Sequence, residues 1–171
     1  TVAKQFNIET RTIDLTPVKE AMLTQLGSVT EVSKMADVNI APRLRMTTLY
    51  AVAASEGRLV AGTGNRSEAY VGYFTKWGDG AHDFNPIGDL TVTEIFEFLR
   101  YLNAPSCIID KAPSAGLFDG QTDEQEMGFK YADLDEFLLT GHTNEKAMAI
   151  IDRMHRGSEH KRKPIRTFED D

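Results

Sequence analysis

The apolar residues of this chain fall into short runs and into longer stretches with helical spacing. The runs at residues 59–61 and 107–109 are short enough for buried strands, and residues 8–14 alternate as a half-exposed strand does. Apolar residues three or four positions apart predict a helix after Thr16 and a long helix over residues 39–56. Strands that alternate with helices predict an α/β protein with a parallel sheet, in which ligands bind beyond the carboxyl ends of the strands.

Capping and stop residues predict where the helices begin and end. Residues 91–94 have the sequence T-V-T-E, a capping box that starts a helix, and Thr122 can cap a short acidic turn. Gly57 and Gly141 are predicted to end helices, and the basic segment 159–164 is predicted to be irregular. The other predicted helix starts are Thr16, Asn39, Ser67 and Thr143.

Residues 60–83 form the stretch around which the rest of the chain is organised. The predicted strand at 59–61 leads directly into a tight glycine turn, and a glycine-rich polar loop follows at 74–80. A hydroxyl, a carboxylate and an ammonium group together suit a phosphorylated ligand with a metal ion. The side chains expected near this edge of the sheet are those of Thr63, Glu68, Lys76 and Asp83.

Length and composition limit the possible classes of protein. The chain has 171 residues, so residues 1–171 are predicted to form a single domain with a hydrophobic core. Its net charge of −7 gives no general electrostatic reason to expect nucleic acid or a membrane surface as a partner. No apolar run approaches the roughly 18 residues of a bilayer span. The single cysteine, Cys107, excludes an internal disulfide and is predicted to be a buried, inert thiol.

Several sequence motifs occur in order along the chain. Residues 62–83 contain G-T-G-N-x-S-E followed by G-Y-F-T-K-W-G-D-G-x-x-D. Four further pieces are N-I-A-P-R-L-R-M at 39–46, K-A-P-S-A at 111–115, Q-T-D-E at 121–124 and E-H-K-R at 159–162. Together, over roughly residues 39–166, they resemble the ammonia-dependent NAD synthetases of the ATP-pyrophosphatase group.

This resemblance implies a fold, an activity and a set of partners. The implied fold is the flavodoxin-like parallel sheet of the adenine nucleotide alpha hydrolases, and the implied protein is a cytoplasmic homodimer. The implied reaction belongs to NAD biosynthesis: deamido-NAD is adenylated by ATP with Mg²⁺, and ammonia then gives NAD, AMP and pyrophosphate. No amidase residues are recognised in the chain, so free ammonia rather than glutamine is the expected nitrogen donor.

The resemblance also assigns roles to individual residues. Arg43 and Arg45 are two positions apart on the predicted helix, about 200° around its axis, so they cannot both face one site. The resemblance selects Arg43. Its implied assignments are ATP binding by Thr63 and Ser114, deamido-NAD binding by Arg43, Lys76, Asp83, His160 and Lys161, and magnesium binding by Glu68.

Two features of the sequence leave alternatives open. Val92 stands where many relatives have a lysine that contacts ATP, so either another cation such as Lys111 replaces it or the contacts to ATP differ. The acidic cluster of Asp123, Glu124 and Glu126 is equally compatible with a metal site and with a solvated first helical turn.

The family also has an S-G-G-x-D-S pyrophosphate loop that nothing in this chain matches. We therefore expect the chain to represent the carboxyl-terminal two thirds of a NAD synthetase domain, incomplete at its N-terminus and inactive by itself. Two alternatives are a nucleotide-binding module without catalysis and another ATP-pyrophosphatase, such as a GMP synthetase.

Overall fold

The computed structural model describes residues 2–114 and 122–168. Ala115 and Gln121, which belong to two of the motifs, lie outside the described residues. The helices in these ranges are α1 (Val2–Gln5), α2 (Thr16–Gly27), α3 (Lys34–Glu56), α4 (Arg66–Val71), α5 (Val92–Tyr101), α6 (Ser106–Ile109), α7 (Asp123–Met127), α8 (Tyr131–Thr140), α9 (Glu145–Gly157) and α10 (Glu159–Arg162).

Two of the predicted strands are wrong. Residues 8–14 have no regular structure, and residues 107–109 belong to helix α6. Pro105 is the N-cap of α6, and its carbonyl oxygen accepts hydrogen bonds from the backbone N–H groups of Ile108 and Ile109. Cys107 is exposed on this short helix, which corrects the prediction of a buried thiol.

The predicted strand at 59–61 is present only as an isolated parallel bridge between Ala61 and Phe84. Gly62 N–H donates to Phe84 O at 2.7 Å, and Asp83 N–H donates to Val60 O at 2.9 Å. Within residues 2–114 and 122–168 the secondary structure is otherwise helical. The parallel sheet of the α/β prediction therefore stays a prediction.

The long helix α3 begins earlier than the sequence predicted. Ser33, not Asn39, is its N-cap, because the Ser33 side chain accepts a hydrogen bond from Ala36 N–H at 3.2 Å. Pro42 consequently lies inside α3 rather than in its first turn. The predicted end is confirmed, since Gly57 is the C-cap and has the left-handed φ of 62°.

Local capping signals were more reliable. The Thr91 capping box, the Thr122 cap and the Gly141 stop are all confirmed. Four predictions are wrong. Leu15 rather than Thr16 is the N-cap of α2, whose first helical residue is Thr16. Asn65 rather than Ser67 caps α4, Asn144 rather than Thr143 caps α9, and residues 159–162 form α10 instead of an irregular tail.

Helices α4, α5, α8 and α9 pack together around the main hydrophobic core. Leu134 of α8 and Ile151 of α9 are completely buried. The other buried members of this core are Val71, Val92, Met127, Phe129, Tyr131 and Ala147. Helix α2 packs separately against α3. No helix in the described ranges combines the length and the apolar character that a membrane span requires.

The C-terminal end of α4 lies directly against the turn between α9 and α10. Gly72 is the C-cap of α4 and has a φ of 70°, and a Cβ atom at this position would overlap the side chain of Ser158. Ser158 is buried, and its hydroxyl donates to Val71 O at 3.1 Å. Only glycine satisfies both the backbone conformation and this close approach.

We predict that Gly72→Ala destabilises the protein by at least about 3 kcal/mol, because left-handed strain and steric overlap with Ser158 add together. Gly141→Ala is the matched control, since Gly141 has a φ of 81° but open space around its Cβ position. That variant should lose only about 1–2 kcal/mol. Urea unfolding measures both, and equal losses would show that the contact with Ser158 has no energetic weight.

Candidate functional site

A cavity of about 1100 Å³ opens between α3, the turn after Val60, α4 and the end of α9. This volume is slightly above the roughly 300–1,000 Å³ that is usual for ligand pockets, so it has room for a nucleotide. Four of the predicted site residues line it: Thr63, Glu68, Ser114 and Lys161. Their grouping joins the predicted ATP and magnesium residues to one residue of the C-terminal segment.

Glu68 lies in the first turn of α4 and is held there by a reciprocal capping box with Asn65. Asn65 N–H donates to Glu68 Oε2 at 2.9 Å, and Glu68 N–H donates to Asn65 Oδ1 at 2.9 Å. Burial raises the pKa of the Glu68 carboxyl, and the negative charges of Asp123 and Asp79 raise it further. The Glu68 carboxyl is therefore partly removed from water and lies in the field of two other acidic side chains.

The residues around Glu68 fit a magnesium ion that is shared with a phosphate ligand. In the described part of the chain, no three His, Cys, Asp or Glu side chains are grouped closely enough to bind a metal by themselves. Magnesium commonly uses one or two carboxylates and completes its shell with phosphate oxygens and water. The half-buried Glu68 carboxylate could supply the hard oxygen donor that this arrangement needs.

Two tyrosines contact the acidic residues of α7. The Tyr73 hydroxyl lies 3.2 Å from Asp123 Oδ1 and 2.7 Å from Glu126 Oε2, and the Tyr131 hydroxyl lies 3.3 Å from Asp123 Oδ2. Burial raises the pKa of both tyrosines, and the neighbouring carboxylates raise it further. Asp123 is 5% exposed, so the interpretation of a solvated acidic turn is wrong for this residue. Glu124 has a capping role, because its Oε1 accepts from Tyr131 N–H at 2.8 Å.

Lys161 reaches into the cavity from α10 and binds the segment that follows α4. Its Nζ donates to Gly72 O and to Phe74 O, each at 2.7 Å, and lies 5.2 Å from the centre of the Phe74 ring. Burial lowers the pKa of Lys161, while the negative charge of Asp79 opposes that shift. The C-terminal segment is therefore bound directly to the loop that contains Lys76.

The other predicted dinucleotide residues lie outside the cavity lining. Arg43 Nε donates to Lys76 O at 3.4 Å, and Lys76 Nζ donates to His160 O at 2.6 Å. Asp83 Oδ2 accepts from Val60 N–H at 2.7 Å. We call Arg43, Lys76, Asp83 and His160 the outer group. The cavity lining includes Glu68 but not Lys76, so their expected meeting at one edge of a sheet stays a prediction.

Helix α3 separates the two arginines as their spacing requires. Arg45 lines the cavity, whereas Arg43 contacts the backbone of Lys76 in the neighbouring loop. Tyr50, seven residues after Arg43, lies on the same helical face, and its hydroxyl is 3.4 Å from Asp83 Oδ1. One face of α3 therefore contacts the loop with Lys76 and Asp83, and a neighbouring face contacts the cavity.

The glycines of the T-K-W-G-D-G segment allow this loop to pack closely. A Cβ atom on Gly78 would lie 2.9 Å from Pro42 Cβ, and one on Gly80 would lie 2.5 Å from the Phe74 ring. Thr75 Oγ1 also donates to the Asn39 side chain at 2.7 Å. The unpredicted position of Pro42 inside α3 thus provides the surface on which the loop rests.

Val92 lies in the hydrophobic core rather than in the cavity lining. Its side chain is 8% exposed and belongs to the hydrophobic core, so it faces away from the cavity. Lys111 is exposed and is not part of the cavity lining, which gives no support to its suggested replacement role. The cations that do line the cavity are Lys34, Arg45, Arg153 and Lys161.

Sequence reasoning missed several cavity residues. Arg45 could have been found, since it is next but one to the selected Arg43 in the same motif. Arg153 is on α9, six residues before the E-H-K-R motif, but it belongs to none of the motifs. Tyr73 was included in a motif, but nothing in the sequence indicated that its hydroxyl contacts α7.

Comparison with known proteins identifies the family. Residues 1–165 match the sequence profile described as NAD synthase. The NH₃-dependent NAD⁺ synthetase of Carboxydothermus hydrogenoformans is 52% identical over 164 residues, which are 95% of this chain and 68% of that protein. The chain belongs to the NAD synthase family. The predicted family and its enzyme class, a ligase of NAD biosynthesis, are thereby confirmed.

Solved structures agree with this placement. The NMN synthetase of Francisella tularensis has a TM-score of 0.92 at 45% identity and covers 96% of this chain. The NH₃-dependent NAD synthetase of Campylobacter jejuni has a TM-score of 0.74 at 30% identity and covers 97%. The chain covers 68% of each of these proteins. These neighbours are consistent with the predicted adenine nucleotide alpha hydrolase fold.

We predict that Glu68→Gln weakens metal binding without lowering the free energy of unfolding. The raised pKa means that the native state binds this proton more tightly than the unfolded chain, so ionised Glu68 costs stability above its raised pKa. Glutamine keeps the capping bond without the charge. Near neutral pH the variant should be at least as stable to urea as the wild type but should bind Mn²⁺ at least about tenfold more weakly. A clear loss of stability would favour a purely capping role.

The same pKa shift predicts how metal binding depends on pH. A proton on Glu68 competes with the cation, so binding should strengthen as the pH rises through a range above that of an ordinary glutamate. Mn²⁺ titrations at a series of pH values measure this effect. Glu68→Gln is the control and should flatten the profile; an unchanged profile would assign the dependence to another group.

Proposed function

We propose that the protein containing this chain amidates deamido-NAD with ammonia, at the expense of ATP. The observation that carries this proposal is the cavity in which Thr63, Glu68, Ser114 and Lys161 meet. The products are NAD, AMP and pyrophosphate. A cytoplasmic homodimer without nucleic acid or membrane partners is part of the proposal.

The reaction needs activation because a carboxylate does not react with ammonia in neutral water. ATP transfers its adenylyl group to the nicotinate carboxylate, and pyrophosphate leaves. Ammonia then attacks the acyl carbon, the C–O bond to AMP breaks, and AMP leaves with both bonding electrons. Most of the catalytic work is to position the two nucleotides and to stabilise negative charge.

Each residue of the cavity has a role in this scheme. Thr63 and Ser114 offer hydroxyl groups to ATP, and Glu68 holds magnesium, which when bound neutralises phosphate charge. Arg45 lines the same cavity and adds positive charge near the phosphates of ATP, whereas Lys161 is proposed to act on the dinucleotide. Positive charge in a partly buried cavity acts more strongly on phosphates than it does in open water.

The outer group is proposed to hold the dinucleotide. In the absence of ligand, the cations of Arg43 and Lys76 are bonded to backbone carbonyl oxygens, those of Lys76 and His160 respectively. Phosphate or carboxylate oxygens bind such cations more strongly than neutral carbonyls do, so ligand groups can replace these partners. Lys161 connects the outer group to the cavity through its bonds to the loop after α4.

A second candidate substrate is the mononucleotide, nicotinate mononucleotide. The observation that favours it is the TM-score of 0.92 with the NMN synthetase of Francisella tularensis. The carboxylate, the adenylation step and the ammonia attack are the same in both reactions. The two candidates differ only in whether the site also contacts a second nucleotide half.

The test is an assay of the purified protein as it occurs in the cell, including any sequence that flanks this chain. Deamido-NAD, nicotinate mononucleotide and XMP are each incubated with ATP, Mg²⁺ and ammonium, and the products are separated by chromatography. We expect NAD formation to have the highest kcat/KM. Preferential NMN formation would support the second candidate. GMP formation, or nucleotide binding without product, would overturn the proposal in favour of another ATP-pyrophosphatase or a non-catalytic module.

We predict that Lys161→Met raises the KM for deamido-NAD about tenfold or more, because the loss of a charge-assisted contact costs about 1.5–3 kcal/mol. The KM for ATP should change less than twofold to threefold. Lys163→Met is the matched control, since Lys163 is exposed on the same segment and pairs with exposed Glu159. Equal effects of the two variants on KM would remove Lys161 from the dinucleotide site.

A further inference from the structure

A buried polar junction joins α4, α5 and α8, next to the cavity but outside its lining. Asp135 of α8 is 2% exposed, and Ser67 of α4 is completely buried. Ser67 Oγ donates to Asp135 Oδ1 at 2.5 Å. Thr93 of α5 donates to Asp135 Oδ2 from both its backbone N–H and its hydroxyl, each at 2.7 Å. Neither the motifs nor the proposed reaction assigns a role to this carboxylate.

The junction also completes the N-terminus of α5. The first N–H groups of a helix have no partner inside the helix. Val92 N–H donates to Ser67 Oγ at 3.2 Å, Thr93 N–H donates to Asp135, and Glu94 N–H donates to the Thr91 hydroxyl at 3.3 Å. Two of these three partners therefore come from other helices. The position of α5 is thus coupled to the positions of α4 and α8.

A buried carboxylate of this kind tolerates little displacement of its partners. Burying a charged group without hydrogen bonds is strongly unfavourable, and removing one partner leaves the full desolvation penalty of the group. Both Asp135 oxygens accept hydrogen bonds, and the donor on α4 is the Ser67 hydroxyl alone. The Ser67 Cα is therefore held at a fixed distance from α8.

Helix α4 depends on such external contacts. It has six residues, which is far too few for a stable helix by itself. Ser67 is followed directly by Glu68, whose side-chain conformation is fixed by its bond to Asn65 N–H. Two constraints therefore place the Glu68 carboxylate: the capping box sets its conformation, and the Ser67–Asp135 bond sets the position of the backbone that carries it.

We propose that Asp135 is a positioning residue that acts through Ser67 to hold the Glu68 carboxylate toward the cavity for metal binding. This inference rests on the proposed function, because it takes Glu68 as the metal-binding carboxylate. Asp135 does not line the cavity. Its effect is on the geometry of the metal site.

A matched pair of substitutions tests this role. Ser67→Ala and Thr93→Val each remove one hydroxyl bond to Asp135, but only Ser67 is on the helix that carries Glu68. Binding of Mn²⁺ in the presence of ATP is measured by the loss of the electron paramagnetic resonance signal of the free ion, in the protein as it occurs in the cell. We expect Ser67→Ala to weaken Mn²⁺ binding about tenfold, as is typical for residues that orient metal ligands, and Thr93→Val to change it less than about twofold.

Stability is measured on the same variants, because Ser67→Ala also removes the acceptor of Val92 N–H. Urea unfolding shows that each variant is folded under the conditions of the metal titration. If Ser67→Ala does not fold, Asp135→Asn is tested in its place, since the amide keeps the shape of the side chain while one oxygen acceptor is lost. It should weaken Mn²⁺ binding by at least about threefold.

The outcomes distinguish this inference from the proposed function. If the wild type does not bind Mn²⁺ with ATP, or if Glu68→Gln binds it equally well, the metal assignment of Glu68 fails. If the wild type binds and Glu68→Gln does not, but Ser67→Ala and Thr93→Val have equal effects, the positioning role of Asp135 is overturned. A selective loss in Ser67→Ala supports it.

Discussion

The structure depends on how the six-residue helix α4 is held at both ends. At its N-terminal end, the Ser67 hydroxyl bonds to buried Asp135. At its C-terminal end, Gly72 packs against Ser158 so closely that no side chain fits between them. A helix of this length has no stability of its own, so these two contacts decide where it lies. The cavity, the hydrophobic core and the C-terminal segment all contact α4.

The contact at the C-terminal end of α4 also explains why the C-terminal segment belongs to the site. The Ser158 hydroxyl and the Lys161 ammonium group bind carbonyl oxygens at Val71, Gly72 and Phe74. Carbonyls at the end of a helix lack intrahelical partners, and a cation is favourable there. The segment is thus bound by backbone groups rather than by apolar packing. A ligand that attracts Lys161 therefore competes with the contacts that fix the loop.

Sequence reasoning was successful where the determinant is local. The Thr91 capping box and the Gly141 stop involve residues within one helical turn, and both are confirmed. It was unsuccessful where the determinant is remote. Residues 107–109 are apolar, and Ile108 and Ile109 are β-branched as in a strand, yet they form a helix after Pro105. Ser67 was predicted to be a cap because its residue type suits one, but its hydroxyl bonds to Asp135, 68 residues away.

In the candidate site, too, local properties could be predicted from the sequence and remote contacts could not. The motifs indicated Glu68 and Lys161, which do line one cavity, but they could not show that Lys76 lies outside it. Spacing established that Arg43 and Arg45 diverge, because the helical angle is a local property. Which of them faces the cavity depends on how α3 packs against the loop at 74–80, and Arg45 does. Arg153 of α9 also lines the cavity, although it lies outside the motifs.

The electrostatics of the cavity connect its stability to its ligand. Burial raises the pKa of Glu68, and the negative charges of Asp123 and Asp79 raise it further, so the ionised site is unfavourable when no cation is present. Under the proposed function, a cation bound to Glu68 would offset this repulsion and favour the ionised carboxylate. The cations that line the same cavity, Lys34, Arg45, Arg153 and Lys161, would attract the phosphate groups of a nucleotide.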